Sequence, residues 1–165
     1  MARVNELQPL VPSVLDRLID DEPHNTKESF RSQTQILREM KNSVRRDLEN
    51  LLNTHIYWYK VPEHYTELDV SLVNYGLPDF SSASMSSQDS RLRFCKKIQE
   101  TIMKFEPRFK RVNVDLLNNS EPLDRTLRLR IDALLDVDPE PEPIIFDSVM
   151  EPINCSLTVK ENRYE

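Results

Sequence analysis

Glycine is almost missing from this chain: one residue, Gly76, in 165, where average usage of roughly 7% would supply about eleven or twelve. A dinucleotide fingerprint or a phosphate-cradling loop needs clustered glycines, so that backbone can approach phosphate. Neither can be built here, and an Asn-Gly or Gly-Gly hairpin turn is excluded with them. Long apolar runs are also lacking. No segment reaches the ~18 apolar residues of a membrane span, and Met1-Ala2-Arg3-Val4-Asn5-Glu6 has no apolar core of a secretory signal. Cysteine is scarce: Cys95 and Cys155 stand far apart, each in an apolar pattern, and read as buried free thiols of a cytosolic protein.

What is present is proline, eleven residues, and charge, 30% of the chain with a net of −6. That sign argues against a general polyanion binder, and nucleic acid is not expected as a partner. The charge is segregated. Arg91 to Arg111 carries eight basic and two acidic residues, whereas Asp132 to Glu165 carries nine acidic and two basic. Such opposite fields suit either two faces that attract each other within the fold or a connector between different partners.

Residues 1–33 read as an extended, acidic, proline-rich arm with one short apolar cluster, Val14-Leu15-Asp16-Arg17-Leu18-Ile19, and one helical turn. Its composition points to ordering on a partner. Residues 34–160 read as one α+β domain and 161–165 as a tail. A helix from about Ser32 to Asn53 carries Ile36 or Leu37, Met40, Val44, Leu48 and Leu51 in one stripe. A short helix is expected near Glu67–Asn74, with Leu68, Leu72 and Val73 on one side, closed by Gly76 in a left-handed cap before Pro78. The serine-rich stretch Ser81–Ser90 leads into a helix bearing Phe94, Ile98, Ile102 and Phe105, capped near Ser87 or Asp89. After Pro107 the period shortens to two: Val112, Val114 and Leu116, then Leu127, Leu129, Ile131 and Ala133, then, past an acidic link at Asp136–Pro143, Ile144-Ile145-Phe146, and finally Ile153, Cys155, Leu157 and Val159. These are half-buried antiparallel strands. Two main helices plus a short one, packed on one face of a C-terminal sheet of three to four strands, is the architecture expected.

Catalytic and metal-binding patterns are weak. His24, His55 and His64 form no helical pair, neither cysteine is near the other, and no metal or cofactor is expected. No nucleophile elbow exists. Asp16, Asp20, Asp21 and Glu22 are crowded and polar, and Arg108 beside Glu106 favours a charged carboxylate rather than a proton donor. An enzyme is not expected. Two surfaces stand out instead. Glu106-Pro107-Arg108 sets a carboxylate and a guanidinium at a helix-to-strand junction, where they either clasp each other or offer a fork and an acceptor to a partner. The polar side of the first long helix, Arg45, Arg46, Asp47 and Asn50, is either a solvated face or a second contact.

Four segments in order resemble one family. Ser43-Val44-Arg45-Arg46-Asp47-Leu48-Glu49-Asn50-Leu51-Leu52-Asn53-Thr54, Pro12-Ser13-Val14-Leu15-Asp16-Arg17-Leu18, Val73-Asn74-Tyr75-Gly76-Leu77-Pro78-Asp79 and Phe105-Glu106-Pro107-Arg108 are similar to the signature stretches of TssE-type baseplate subunits of type VI secretion. Those subunits are similar in turn to the small wedge protein of contractile phage tails, historically labelled lysozyme-like. His55 stands where that family usually has Arg, and the aromatic stretch Ile56–His64 matches no part of its pattern. The resemblance implies a structural wedge subunit at the cytoplasmic face of the inner membrane, without membrane insertion. Its implied partners are TssF- and TssG-like wedge subunits and TssB/TssC-like sheath proteins, with TssK-like and spike or hub proteins as further contacts. It implies docking through Glu106, Pro107 and Arg108 and templating of the sheath by the strands after Arg108; Arg45, Arg46, Asp47 and Asn53 of the first long helix are further partner-binding candidates. Two other readings follow from the same likeness: a peptidoglycan hydrolase, from the old label, and an anti-adaptor-like regulator, from the fold.

Overall fold

The computed structural model describes residues 13–19, 23–24, 32–56, 64–79, 87–117, 126–137, 140–151 and 156–162. Helix α1 spans Val14–Leu18, α2 Gln33–Asn53 and α3 Gln88–Phe105; strands β1 (Phe109–Leu117), β2 (Leu127–Leu135), β3 (Glu142–Glu151) and β4 (Ser156–Glu161) follow. The α+β order read from the sequence is the order found. The aromatic stretch at 57–63, the turn at 118–122, Cys155 and most of the arm lie outside the described residues.

Each long helix starts where its cap dictates. Ser32 Oγ accepts from Gln35 N–H while the Gln35 side chain accepts from Ser32 N–H, a complete capping box on α2. Ser87 Oγ accepts from Ser90 N–H at the start of α3. The strands form one antiparallel meander in the order β1-β2-β3-β4. Register places Val112, Ala133 and Ile144 in one row, and Val114, Ile131 and Phe146 in the next. Those rows, with Val44, Leu48, Leu51 and Leu52 of α2 and Phe94, Ile98 and Ile102 of α3, make the buried core. α3 lies over β1 and α2 over β4. The opposite face carries Asp115, Arg130, Asp147 and Lys160 side by side across all four strands. Opposite charges at adjacent cross-strand positions favour this register, and Arg130 Nε meets Asp147 Oδ1 at 3.2 Å.

The two sheet edges differ. Asn162 N–H donates to Ile145 O, so Lys160 and Thr158 turn their backbone groups toward β3 while Leu157 and Val159 turn theirs outward. Asn53 of α2 covers that outer edge: its Oδ1 accepts from Leu157 N–H and its Nδ2 donates to Leu157 O, both at 2.8 Å. Arg45 Nη1 adds a 3.5 Å contact to Val159 O. The same alternation carried through β2 turns the backbone of Val112, Val114 and Leu116 outward from β1; no backbone group among the described residues bonds to it, yet Val112 and Val114 are only 2% and 5% exposed.

Two expectations are corrected. The segment near Glu67–Asn74 is two 3-10 turns, Thr66–Val70 and Leu72–Asn74, with no buried residue, and Leu72 is 86% exposed. Ser71 interrupts a continuous helix because its hydroxyl donates to Leu68 O and accepts from Val73 N–H. Strand β3 begins at Glu142, so Pro143 belongs to it rather than to the link. The described β4 ladder reaches only Phe146 opposite Glu161, so the missing N–H of Pro143 interrupts no pairing there. The helical turn expected in the arm is α1, at the apolar cluster and tied to α2 through Asp16.

Candidate functional site

Pro107 builds the junction. It occupies the second position of a turn closed by Phe109 N–H donating to Glu106 O at 3.3 Å, where its fixed φ is preset for the geometry. α3 ends at Phe105 and β1 begins at Phe109, so the carboxylate before the proline and the guanidinium after it fold back on each other. Arg108 Nε donates to Glu106 Oε1 at 2.5 Å and Nη2 to Glu106 Oε2 at 2.6 Å. Of the two arrangements open to this pair, the clasp is the one found. Glu106 is only 6% exposed, a burial that a carboxylate tolerates when paired in this way.

The clasp extends onto α2. Arg108 Nη2 also donates to Asp47 Oδ2 at 2.6 Å and Nη1 to Ser43 Oγ at 3.4 Å. Arg46 donates to Asp47 Oδ1 from Nε at 3.3 Å and from Nη2 at 3.2 Å, and its Nη2 reaches Asp16 Oδ1 at 2.8 Å. Asp16 Oδ2 accepts from Ser13 and Ser43, each at 2.6 Å. Ser43, Arg46 and Asp47 stand three and four residues apart and share one helix face. A chain of alternating charge thus runs Asp16–Arg46–Asp47–Arg108–Glu106 across α1, α2 and the junction.

The electrostatics follow from that alternation. Burial pushes the Asp16 carboxyl up, but the hydrogen bonds from Ser13, Ser43 and Arg46, with the Arg46 charge, outweigh it and hold it at about 2. Burial disfavours the Arg108 charge, and Glu106 and Asp47 more than restore it, so the guanidinium is held above its ordinary range. Tyr75 is raised first by burial and then by the charges of Asp47 and Glu106. Its ring meets Phe105 edge-on at 5.2 Å, seating the 64–79 segment beside the clasp.

The remaining candidates lie elsewhere. Arg45, Glu49 and Asn53 repeat every four residues and face β4; Arg45 pairs with Glu49 at 3.1 Å and Asn53 holds Leu157 as above. The polar side of α2 is therefore two surfaces: Arg46 and Asp47 belong to the clasp, Arg45 and Asn53 to the sheet edge. Asn50 is exposed. Gly76 has φ +110° and backs onto the end of α2, where Leu77 N–H donates to Thr54 O at 2.8 Å. Asp16 and Ser43 are the members of the network not expected as partner-binding residues, although both lie in family-like segments. Among the described residues no group of three or more histidine, cysteine, aspartate or glutamate side chains is arranged to hold a metal ion, and no helix is long and apolar enough to cross a membrane.

A family profile described as baseplate wedge protein gp25 matches residues 38–140, more than half of the chain. The chain belongs to the baseplate wedge protein gp25 family. It is, as a wedge-family member, a structural baseplate subunit whose work is contact with other baseplate components. The matched span contains Arg45, Arg46, Asp47, Asn53, Gly76, Glu106, Pro107 and Arg108, whereas α1 with Asp16, and β3 and β4, fall outside it. No curated protein matches the chain.

Proposed function

We propose that this wedge-family chain is a non-catalytic subunit of a type VI secretion baseplate, joining a TssF/TssG-like wedge core to the contractile sheath at the cytoplasmic face of the inner membrane. The observation that carries the reading is the clasp: a half-buried, alternating-charge network at the turn between helix and sheet, built on the family-like Glu106-Pro107-Arg108. The side chains of Arg46, Asp47 and Arg108 stay partly open to solvent, so a partner can reach the network although the forked edges of both arginines are already bound to Asp47 and Glu106. The three carboxylates of the network are each paired with an arginine. A general acid needs an apolar setting that keeps its proton, so this pairing supports an anchor over a hydrolytic site.

The sheath contact belongs to the outer edge of β1 on this reading. A strand added at β4 would displace Asn53 from both backbone groups of Leu157; at β1 a TssB/TssC-like strand would instead have to displace what covers Val112 and Val114, which are 2% and 5% exposed, before pairing with their outward backbone groups. TssK-like and spike or hub proteins would be met through the assembled wedge.

Co-expression of the tagged chain with TssF- and TssG-like subunits tests the proposal. A stable complex is expected, weakened about tenfold or more, ~1.4 kcal/mol, by Arg108→Lys or Glu106→Gln in chains that still melt as folded proteins. Normal assembly of both variants would refute the docking role of the junction. Release of soluble muropeptides from purified sacculi would refute the non-catalytic assignment.

A further inference from the structure

Helix α1 is built inside out. It has five residues, well short of the ~12–15 at which an isolated helix persists in water, so its neighbours must hold it. A short amphipathic helix ordinarily turns its apolar side to the core. Here Val14 and Leu18 are 74% and 75% exposed and Leu15 and Ile19 are exposed with them, while the inward contacts are polar. Asp16 binds Ser43 and Arg46 of α2, and Ser13 caps the helix through Asp16 N–H at 3.2 Å. The anchor fixes the one orientation that leaves four aliphatic side chains in water.

Two features describe what would cover them. The sequence continues Asp20-Asp21-Glu22, three carboxylates directly after the apolar cluster, so a complementary surface is apolar with a basic rim. The anchor is also continuous with the clasp, because the Arg46 that holds Asp16 also holds Asp47, which holds Arg108. A partner seated on the Glu106–Arg108 junction therefore meets α1 on the same side of α2.

We infer that α1 is a docking helix, its Val14, Leu15, Leu18 and Ile19 side chains entering an apolar, basic-rimmed groove on the protein that docks at the junction. This rests on the wedge reading for the identity of that protein. Helix-in-groove recognition places affinity in a few apolar anchors, and the polar tether presents them in a preset orientation, which lowers the ordering cost of binding. The chain also carries an apolar surface within a basic setting of its own: Leu92 and Met103 are exposed on α3, which bears Lys96 and Lys97. A second copy is the competing occupant.

The test uses the full chain, a co-expressed TssF/TssG-like complex, the double variant Leu15→Gln/Leu18→Gln and Asp16→Asn. The double variant alters only exposed side chains, so its melting is expected to match the unmodified chain while its Kd for the complex rises about tenfold or more. Asp16→Asn is expected to weaken binding less, and raising salt from about 50 to about 300 mM to weaken binding of the unmodified chain. Equal binding by the unmodified chain and the double variant would overturn the inference and leave the wedge reading standing. No binding by the unmodified chain would overturn the wedge reading and the stated occupant with it. Self-association by light scattering, abolished by the double variant, would overturn the stated occupant in favour of a second copy.

Discussion

Replacing Gly76 with alanine removes two things that the 64–79 segment depends on. The residue has φ +110°, and a Cβ added there would lie 2.2 Å from the Thr54 carbonyl oxygen and 2.7 Å from its carbon. Those are backbone atoms at the end of α2, so the loop must move instead. Adopting a positive φ costs a non-glycine residue roughly 1–2 kcal/mol. Displacing the loop strains the bonds Leu77 N–H to Thr54 O and Ile56 N–H to Leu77 O, each worth ~1 kcal/mol net. It also loosens Leu77, which is buried at 3% exposure and contributes ~1.5–3 kcal/mol when fully covered. With Leu77 only partly released, the sum is about 4 kcal/mol, equivalent to a fall in Tm of ~8–16 °C for a domain of this size. Thermal unfolding followed by circular dichroism measures it. Gly76→Asn is expected to be as damaging as Gly76→Ala, because the Cβ contact is the same although asparagine tolerates positive φ better. A Gly76→Ala protein melting within about 2 °C of the unmodified chain would refute the close approach, and rescue by asparagine would show that φ rather than the Thr54 contact governs.

Asn53→Ala should cost about 1–2 kcal/mol, by stripping both backbone groups of Leu157 of their partners, and hydrogen exchange at the Leu157 amide should accelerate; unchanged protection would show that the edge is held by other means. Arg108→Met should be more damaging, about 2–4 kcal/mol in urea unfolding, because it leaves the buried Glu106 carboxylate without its cation; a neutral result would mean that the clasp contributes little to the fold. The Asp16 anchor should depend on pH. Its folded pKa, about 2, lies below the ordinary aspartate value of 3.8, so its contribution is present above about pH 5 and is lost as pH falls toward 2. Allowing for solvent screening, that is about 1–2 kcal/mol, read as loss of exchange protection at Ile19, whose N–H donates to Leu15 O; equal protection at pH 6 and pH 2.5 would contradict it.

Helix starts and core faces were legible because they are local. Ser87 is one of the two caps expected for the α3 start and is the one found, and the stripe of Val44, Leu48 and Leu51 follows the helical period. Strand alternation likewise separates Val112, Val114, Leu129 and Ile131 from their polar neighbours. Pairing was not legible in the same way. The ladder Asp115–Arg130–Asp147–Lys160 exists only once register is set, and register rests on contacts distant in sequence. The division of Arg45 from Arg46 is a 100° rotation that any helix makes, but its meaning required knowing that β4 lies on one side and the junction on the other. Asp16 looked like one of several crowded carboxylates; the signal lay in Ser43, Arg46 and Asp47, whose spacing prepares a face for it. Leu68, Leu72 and Val73 imitate a helical stripe, and a single serine hydroxyl bonding to the local backbone defeats it.

The central claim is that the Glu106-Pro107-Arg108 junction is where this wedge subunit docks. Cryo-electron microscopy of the chain reconstituted with its TssF- and TssG-like partners tests it most directly. Arg46, Asp47 and Arg108 are expected to be covered by the partner, with the β1 edge at Val112–Leu116 not occupied by it. A reconstituted wedge in which the junction faces solvent and the partner sits on the open sheet face or on β4 would contradict it.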